Sequence, residues 1–267
     1  MLLFSYMLAY MDIFYYLCTI FVCACKARAY VKEIRNMRIA IIGYGKMGHM
    51  IESIALERGH EIVARIDAGD VFDLRDADVA IEFTTPATAK DNILRAWAQG
   101  VPVISGSTGW NPEELKIEDL SLKIEGNKTI ISNEAGKVML VWSSNYSVGV
   151  NITFELNKIL AQMMSTQPQY TPSIKEIHHI HKLDKPSGTA KTLAEQIQDT
   201  DLSKYQSIED IKIESIREGE VPGTHIVTWD SEEDTIVLTH IAKGRRGFAL
   251  GAVLAAESLA RQQHEIG

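Results

Sequence analysis

The sequence predicts an α/β protein in which the first half forms a parallel sheet flanked by helices and the second half forms a smaller, open mixed sheet. Over residues 38–147, short apolar runs alternate with patterns typical of amphipathic helices. A glycine-rich loop lies directly between the first apolar run and the first helix. Residues 211–241 contain three β-rich runs separated by turn residues. Together these features indicate a Rossmann-type dinucleotide-binding domain and an α+β domain.

The elements of the first half follow from apolar runs that end at glycine, proline or polar residues. A helix is predicted over Gly45–Arg58, and Gly59 suits its C-terminal cap. A second helix follows Thr85-Pro86 and ends near Gln99. Strands are predicted at Arg38–Ile42, Glu61–Ile66, Asp78–Phe83, Pro102–Ser105 and Val138–Ser143. Residues 111–137 have a mixed pattern, for which we predict no element.

The second half begins with an amphipathic helix and then changes to a β-rich pattern. Helices are predicted at 149–164, Ser187–Ile197 and Gly247–Gln262. Strands are predicted at Ile174–His179, Ile211–Arg217, Thr224–Asp230 and Thr235–Ile241. The short turns between the last three strands favour a mostly antiparallel sheet.

Composition excludes several classes of protein. The chain has 267 residues, of which 46% are hydrophobic, and its formal net charge is −8. Such a chain is neither disordered nor collagen-like, and an acidic protein is a poor partner for nucleic acid. All three cysteines lie within residues 1–25. The remaining chain therefore contains no disulfide, which fits a cytoplasmic protein.

Residues 1–36 differ in composition from the rest of the chain. In residues 1–25 only Ser5, Asp12 and Thr19 are not hydrophobic. This run is long enough for a membrane-spanning helix, but no basic residue precedes it as in a signal peptide. We favour a third interpretation, in which the start codon is assigned upstream of the true one and Met37 is the first residue. Membrane association is expected only if residues 1–25 are a true anchor.

The glycine-rich loop has the spacing of a dinucleotide-binding loop. Gly43, Gly45 and Gly48 fit the pattern G-x-G-x-x-G between a strand and a helix. The first glycine permits the turn, the second lets a pyrophosphate approach, and the third allows the helix to pack closely on the strand. Asp67 ends the second strand, where a carboxylate can bind ribose hydroxyls and repel a 2′-phosphate, which favours NADH over NADPH. Arg65 on the same strand could weaken that preference. An ordinary glycine turn is the alternative.

Three of the eight histidines lie within four residues, next to a lysine. His178, His179, His181 and Lys182 could serve proton transfer, since histidine changes protonation near neutral pH. His178 and Lys182 are too far apart in an extended chain to touch one small molecule, so we expect a turn between them. Two alternatives remain open, a surface loop with incidental histidines and a zinc site formed by the three imidazoles. The adjacent lysines disfavour a cation, and we predict no metal.

An anion site is predicted directly after the histidine cluster. Ser187 is a good N-cap for the following helix. Gly188 and Thr189 then offer free backbone N–H groups in the first turn, and such groups bind a carboxylate well.

These motifs resemble the 4-hydroxy-tetrahydrodipicolinate reductase (dihydrodipicolinate reductase) family of diaminopimelate and lysine biosynthesis. The resemblance runs over nearly all of residues 37–267. Its most specific part is His178-His179-x-His181-Lys182-x-Asp184-x-Pro186-Ser187-Gly188-Thr189-Ala190. Further matches, in the right order, are Glu82-Phe83-Thr84, Gly106-Ser107-Thr108-Gly109, Asn145-Tyr146-Ser147-Val148-Gly149-Val150-Asn151 and Arg217-Glu218-Gly219.

The resemblance implies reduction of 4-hydroxy-tetrahydrodipicolinate to tetrahydrodipicolinate by NADH or NADPH. His178 and Lys182 would be the catalytic residues for proton transfer. His179, Lys182, Gly188 and Thr189 would bind the small dicarboxylate substrate, with Lys175 and Lys185 adding positive charge. The coenzyme would lie against Gly43, Tyr44, Gly45, Lys46, Met47, Gly48, Asp67, Gly106, Ser107, Thr108, Ser144, Asn145, Tyr146 and Ser147.

The resemblance also implies domain boundaries and an assembly. Residues 37–147 and 241–267 would form the dinucleotide-binding domain, and 148–240 the substrate-binding and oligomerisation domain of a homotetramer. The chain between Asp67 and Asp78 is short for the family, so we expect a strand–helix excursion to be trimmed there. Two other hypotheses remain: a dehydrogenase of the aspartate-semialdehyde or homoserine type, and a non-catalytic nucleotide sensor. Neither needs the histidine–lysine cluster.

Overall fold

The computed structural model describes residues 36–115, 120–125, 128–134, 137–200, 205 and 207–265. The predicted N-terminal extension, except Asn36, lies outside these residues. Within the described ranges we find no helix with the length and apolar character that a bilayer crossing requires. Residues Met37–Gly267 form one compact unit, so the boundaries between the two predicted domains stay a prediction.

Seven strands of the described chain form the first sheet, in the order β2-β1-β3-β4-β7-β6-β5. Their bounds are β1 Arg38–Ile42, β2 Glu61–Ile66, β3 Val79–Glu82, β4 Val103–Ser105, β5 Leu120–Glu125, β6 Lys128–Asn133 and β7 Val138–Ser143. Strands β2, β1, β3, β4 and β7 are parallel, as predicted, and β6 and β5 add an antiparallel edge that the sequence did not indicate. The chain between Asp67 and Asp78 contains neither helix nor strand, and β2 lies at the other edge of the sheet.

Helices cover both faces of the first sheet. The two that follow its early strands are α1 Lys46–Glu57 and α2 Pro86–Ala98. The last helix, α5 Arg246–Glu265, returns to this sheet and packs beside α1. Ala252 and Val253 of α5 are fully buried in one apolar cluster with Ile39 and Ile51. The C-terminal helix therefore completes the layer that supports the glycine-rich loop.

A buried charged group holds α5 to the start of the first sheet. The Glu257 carboxylate accepts hydrogen bonds from Arg58 Nε at 2.6 Å and Nη2 at 2.9 Å. His60 Nε2 lies 2.9 Å from the same carboxylate, while the Met37 amide donates to His60 Nδ1 at 3.4 Å. Burial raises the pKa of Glu257, but its hydrogen bonds from Arg58 and His60 outweigh this and hold the pKa below its usual value.

The second sheet has the order β11-β10-β8-β9 and is mixed, as predicted. Its strands are β8 Thr171–His178, β9 Lys212–Arg217, β10 Thr224–Asp230 and β11 Thr235–Ile241. Helices α3 Val148–Met164 and α4 Gly188–Gln198 cover one face of it. Short 3₁₀ helices lie at Pro112–Glu114 and Ile208–Asp210. The fold class predicted from the sequence is thus confirmed.

The register of the second sheet places polar side chains in one transverse row. His240 on β11 pairs with His225 on β10, which pairs with Glu176 on β8. Ser215 on β9 continues this row beside Glu176. Alternate residues of a strand face the same side, so His178 lies on the same face as Glu176. The sheet therefore gathers histidines and a glutamate beneath α3 and α4.

Candidate active site

The glycine-rich loop makes a sharp turn from β1 into α1. The Gly43 amide donates to the Ile66 carbonyl at 2.8 Å, and Gly43 has φ +94°. A Cβ at residue 48 would overlap the Gly43 carbonyl oxygen, so only glycine lets α1 begin this close to the loop. No atom lies within 4 Å of a Cβ built on Gly45, which leaves open space at the helix N-terminus. Free N–H groups facing open space are suited to a phosphate.

The Arg65 guanidinium contacts Glu52 and Tyr44 rather than Asp67. Its Nε donates to Glu52 Oε1 at 3.1 Å, its Nη2 contacts the same oxygen, and Tyr44 donates to the other oxygen of Glu52. The guanidinium also lies 5.9 Å from the centre of the Tyr44 ring. The hydrogen bond to Glu52 raises the pKa of Tyr44, and that from Arg65 lowers the pKa of Glu52. Asp67 is exposed at the end of β2.

A buried carboxylate organises the ends of β3 and β4. Glu82 is fully buried and accepts hydrogen bonds from Ser105 Oγ at 2.5 Å and Ser107 Oγ at 2.7 Å. The Thr84 amide donates to Glu82 Oε1 at 2.8 Å, and the Thr84 hydroxyl donates to it at 2.5 Å. These bonds satisfy the carboxylate and fix the loop that begins at Gly106.

Two tryptophans hold the same loop from the other side. Trp110 Nε1 donates to the Ser107 carbonyl at 2.9 Å, and Trp142 Nε1 donates to it at 2.8 Å. Thr108 is exposed beyond this point. The loop is therefore rigid at Ser107 and open at its tip.

The segment after β7 connects the two sheets. Asn145 Oδ1 accepts from the Ser147 amide at 2.9 Å, and Ser147 caps α3 by accepting from the Val150 amide at 3.3 Å. Asn145 Nδ2 donates to Thr189 Oγ1 at 3.3 Å, which links this segment to α4. The Tyr146 hydroxyl lies 2.7 Å from the Val141 carbonyl, and burial together with nearby Glu82 raises the pKa of Tyr146.

A cavity of about 310 Å³ lies where these loops converge. Its wall combines the glycine-rich loop with the segments that follow β3, β4, β7 and β8. The segment before β10 and the segment that leads from β11 into α5 complete it. The lining residues are Met47, Phe83, Gly106, Ser143, Ser144, Asn145, Tyr146, His179, Glu220, Pro222, Gly244, Arg245 and Phe248.

His178 lies in a buried network beside this cavity. Its Nδ1 contacts Glu176 Oε2, and Glu176 is fully buried. The other oxygen of Glu176 accepts from Arg217 Nη2 at 2.9 Å and from the Ser187 amide at 3.3 Å. Burial raises the pKa of Glu176, but hydrogen bonds from Arg217, Ser215 and His178 outweigh it and lower the pKa. Burial lowers the pKa of His178, while Glu176 opposes that shift.

Two further histidines continue the row. The rings of His178 and His225 have centres 5.0 Å apart, and those of His225 and His240 are 6.4 Å apart. Burial, followed by the charge of His178, lowers the pKa of His225 to about 3. Burial also lowers the pKa of His240. His225 is therefore neutral at physiological pH.

The chain turns after β8, as expected, and brings Lys182 back toward His178. The Lys182 amide donates to the His179 carbonyl at 3.1 Å. Lys182 Nζ lies 2.8 Å from Asp184 Oδ1. Burial raises the pKa of Asp184, but Lys182 and the Gly188 amide outweigh it and lower the pKa. Asp184 thus lies against Lys182 and Gly188, two of the four residues expected to bind the substrate carboxylates.

The three histidines of the cluster have different surroundings. His179 reaches the cavity wall, while His181 Nε2 pairs with Glu220 at 2.9 Å on the surface. Within the described ranges, the ligand atoms of Glu176, His178 and His225 lie within 4.8 Å of one another. Arg217 and the Ser187 amide already bond to Glu176, and the cationic guanidinium opposes a metal ion there. We describe this group as a hydrogen-bonded network.

Comparison with known proteins decides the family. A sequence model described as "Dihydrodipicolinate reductase, N-terminus" matches residues 37–146, and "Dihydrodipicolinate reductase, C-terminus" matches residues 149–266. A relative from Christiangramia forsetii, named 4-hydroxy-tetrahydrodipicolinate reductase, is 45% identical over 84% of this chain and 92% of its own length. The chain belongs to the dihydrodipicolinate reductase family. This confirms the family predicted from the motifs and, with it, an oxidoreductase.

Two other members of the dihydrodipicolinate reductase family agree with this assignment. A relative from Archaeoglobus fulgidus with the same name as the first is 32% identical over 84% of this chain and 95% of its own length. A solved structure, a dipicolinate-bound dihydrodipicolinate reductase from Paenisporosarcina sp. TG-14, has a TM-score of 0.63 and 20% identity. It covers 85% of this chain and 96% of its own, and it shows the same fold.

The structure brings together part of the predicted reductase site. Of the predicted residues, Met47, Gly106, Ser144, Asn145, Tyr146 and His179 line the cavity. Four of the predicted catalytic and substrate-binding residues lie outside its wall. His178 lies in the buried network, Lys182 in the turn after β8, and Gly188 and Thr189 at the start of α4. Lys175 lies on the opposite face of β8 from Glu176 and pairs with Glu214 at 3.4 Å, so it adds no charge to the site. The roles of all these residues stay predictions.

Sequence reasoning missed several residues of this site. Glu220, Pro222, Arg245 and Phe248 line the cavity, and Glu176 contacts His178 from beneath. The sequence did contain a signal for Glu176: it lies two residues before His178 on a predicted strand, and residues two apart on a strand share a face. No local pattern indicated that the segments around Glu220 and Arg245 would meet the glycine-rich loop.

Proposed function

We propose that this chain reduces 4-hydroxy-tetrahydrodipicolinate to tetrahydrodipicolinate with NADH or NADPH. One observation carries the proposal: a single cavity wall combines Met47 of the glycine-rich loop and Gly106 with His179 of the histidine–lysine segment. A protein that only binds a nucleotide has no use for the histidine–lysine segment, His178–Lys182, in this wall. Family membership supports the same reaction.

The residues fit a dinucleotide. The open space at Gly45 and the free N–H groups at the start of α1 suit a pyrophosphate. The exposed Asp67 suits ribose hydroxyls, and the loop Gly106–Thr108 with Ser144–Ser147 would line the remainder. A reduced nicotinamide, when bound, supplies the hydride. The protein's own part is to orient this group toward His179 and to exclude water from the cavity.

We further propose that NADH is the preferred coenzyme. The Asp67 carboxylate is exposed where a 2′-phosphate would lie and would repel it. Arg65 is the nearby cation on the same strand, and Glu52 and Tyr44 already bind it. A guanidinium held in this way is poorly placed to neutralise an added phosphate.

Proton transfer is assigned to His178 and Lys182. His178 ends β8, Lys182 lies in the turn that follows it, and the Lys182 charge lowers the pKa of His178. We assign the substrate carboxylates to Lys182, to the amides of Gly188 and Thr189, and to His179. Cations placed where negative charge develops stabilise the transition state more than the ground state.

We propose a homotetramer that forms through the open face of the second sheet. Val237 and Ile241 lie on the open face of β11 and are 54% and 63% exposed. Exposed apolar side chains on an uncovered sheet face favour pairing with a second copy. We place the assembly in the cytoplasm, since residues 37–267 contain no cysteine.

A coupled assay tests the reaction. Dihydrodipicolinate synthase generates the unstable substrate, and absorbance follows oxidation of NADH or NADPH. The proposal expects oxidation that requires the synthase and its substrates. Coenzyme that stays reduced beside an active synthase would overturn it.

A further inference from the structure

Glu176 is charged and completely buried. The proposed reaction assigns it no contact with the substrate. Burying a carboxylate is costly unless it is paired and hydrogen-bonded. Glu176 has such partners: Arg217, the Ser187 amide and the His178 ring. Each of these partners belongs to the proposed active site or contacts a residue of it.

Arg217 extends the contact to the Lys182 loop. Its Nη2 donates to the Asp184 carbonyl at 2.5 Å, and its Nε donates to the Lys182 carbonyl at 3.2 Å. One guanidinium therefore holds both the Glu176 carboxylate and the backbone that carries Lys182. The planar, multiple donors of arginine suit this arrangement, and lysine has no equivalent geometry.

We propose that Glu176 and Arg217 are positioning residues that prepare His178 and Lys182 for proton transfer. The Glu176 carboxylate accepts from His178 Nδ1, so the Nδ1 proton is fixed and Nε2 is the nitrogen that exchanges a proton with the reacting molecule. A Cβ at residue 223 would lie 3.1 Å from His178 Nε2, so Gly223 keeps a side chain away from that nitrogen. The inference rests on the proposed function, because it explains how that site is held.

The charged and titratable groups around His178 determine in which direction its pKa moves when the Glu176 charge is removed. Glu176 raises the pKa of His178, whereas burial, Lys182 and Arg217 lower it. Burial lowers the pKa of His225, on β10, to about 3, and it also lowers the pKa of His240, on β11. Asp184 is paired with Lys182, and Ser187 contacts both Glu176 and His225. Removal of the Glu176 charge therefore lowers the pKa of His178.

The test compares Glu176→Gln with Glu195→Gln in the full-length protein. Glu195 is exposed on α4, away from the Glu176 network and from the open face of the second sheet. We expect Glu176→Gln to lower the His178 pKa, measured by NMR titration of the imidazole, by about one unit or more. We also expect kcat to fall about 10- to 100-fold, with the His178-dependent limb of the pH profile moved to lower pH. Glu195→Gln should match the wild type.

An unchanged His178 titration and an unchanged pH profile in Glu176→Gln would overturn the inference. If that variant does not fold, Arg217→Lys gives the same test. It keeps a positive charge but loses the simultaneous contacts to Glu176, Lys182 and Asp184, so kcat should fall and the limb should shift. A wild-type profile in Arg217→Lys would overturn the inference as well. If the wild type shows no reductase activity, the proposed function fails, whereas the NMR titration still tests the role of Glu176.

Discussion

Gly45 and Gly48 belong to one loop but should respond to alanine in opposite ways. A Cβ at residue 48 would overlap the Gly43 carbonyl oxygen and lie 3.3 Å from Ile41 Cγ2, and backbone cannot move aside as a side chain can. Overpacking of this kind costs about 1–3 kcal/mol. For a unit of this size, each kcal/mol lowers Tm by about 2–4 °C, so Gly48→Ala should lose about 5 °C.

Gly45→Ala is the matched control within the same loop. Gly45 has φ −90°, which alanine adopts freely, and no atom lies within 4 Å of the added Cβ. Stability should stay constant or rise by about 0.4–1 kcal/mol. The methyl group would instead occupy the space reserved for the pyrophosphate, and the same overpacking cost there weakens binding by about 10-fold or more.

Thermal unfolding and fluorescence titration with NADH measure these two effects separately. We expect Gly48→Ala to lower Tm, and we expect Gly45→Ala to raise the Kd for NADH at an equal or slightly higher Tm. A Gly48→Ala protein as stable as the wild type would refute the packing argument. A Gly45→Ala protein with wild-type affinity would refute the assignment of this loop to the coenzyme.

Four further predictions concern catalysis, coenzyme choice, stability and the start of the chain. Lys182→Met should lower kcat by on the order of 10²-fold at constant Tm, and near-normal turnover would remove Lys182 from the mechanism. Asp67→Ala should raise KM for NADH more than for NADPH; equal changes in both constants would contradict the ribose contact. The Glu257 pKa is lowered in the folded state, so its contribution to stability is present above its unfolded pKa and lost as pH falls through the folded value. Glu257→Gln should therefore unfold about 1–3 kcal/mol more easily at pH 7 and lose less stability in acid, as denaturant titration at several pH values can show. A protein that begins at Met37 should be folded and active, whereas activity confined to the full chain would contradict the predicted start.

The first sheet was predictable where its strands are buried on both faces. Strands such as Arg38–Ile42 read as continuous apolar runs, and the structure has these bounds. The hairpin β5–β6 was missed because it lies at the sheet edge, where Leu122 and Ile124 stay 43% and 56% exposed. A half-exposed strand of mixed composition has no run that distinguishes it from a loop.

The site was predictable where its chemistry is local in sequence. The histidine–lysine segment and the N-cap Ser187 lie within one short stretch, and Ser187 does cap α4 by accepting from the Ala190 amide at 3.2 Å. Arg217 lies 41 residues after Glu176, and their contact depends on the parallel pairing of β8 with β9. Pairing register of this kind is a tertiary property that no local spacing reveals.

A crystal structure with NADH and pyridine-2,6-dicarboxylate tests the central claim most directly. The claim is that one cavity joins the glycine-rich loop to the histidine–lysine segment. We expect the pyrophosphate at Gly45, the nicotinamide between Gly106 and His179, and a carboxylate of the second ligand at Lys182 in place of Asp184. A dicarboxylate bound away from the nicotinamide, with Lys182 still paired to Asp184, would contradict the account.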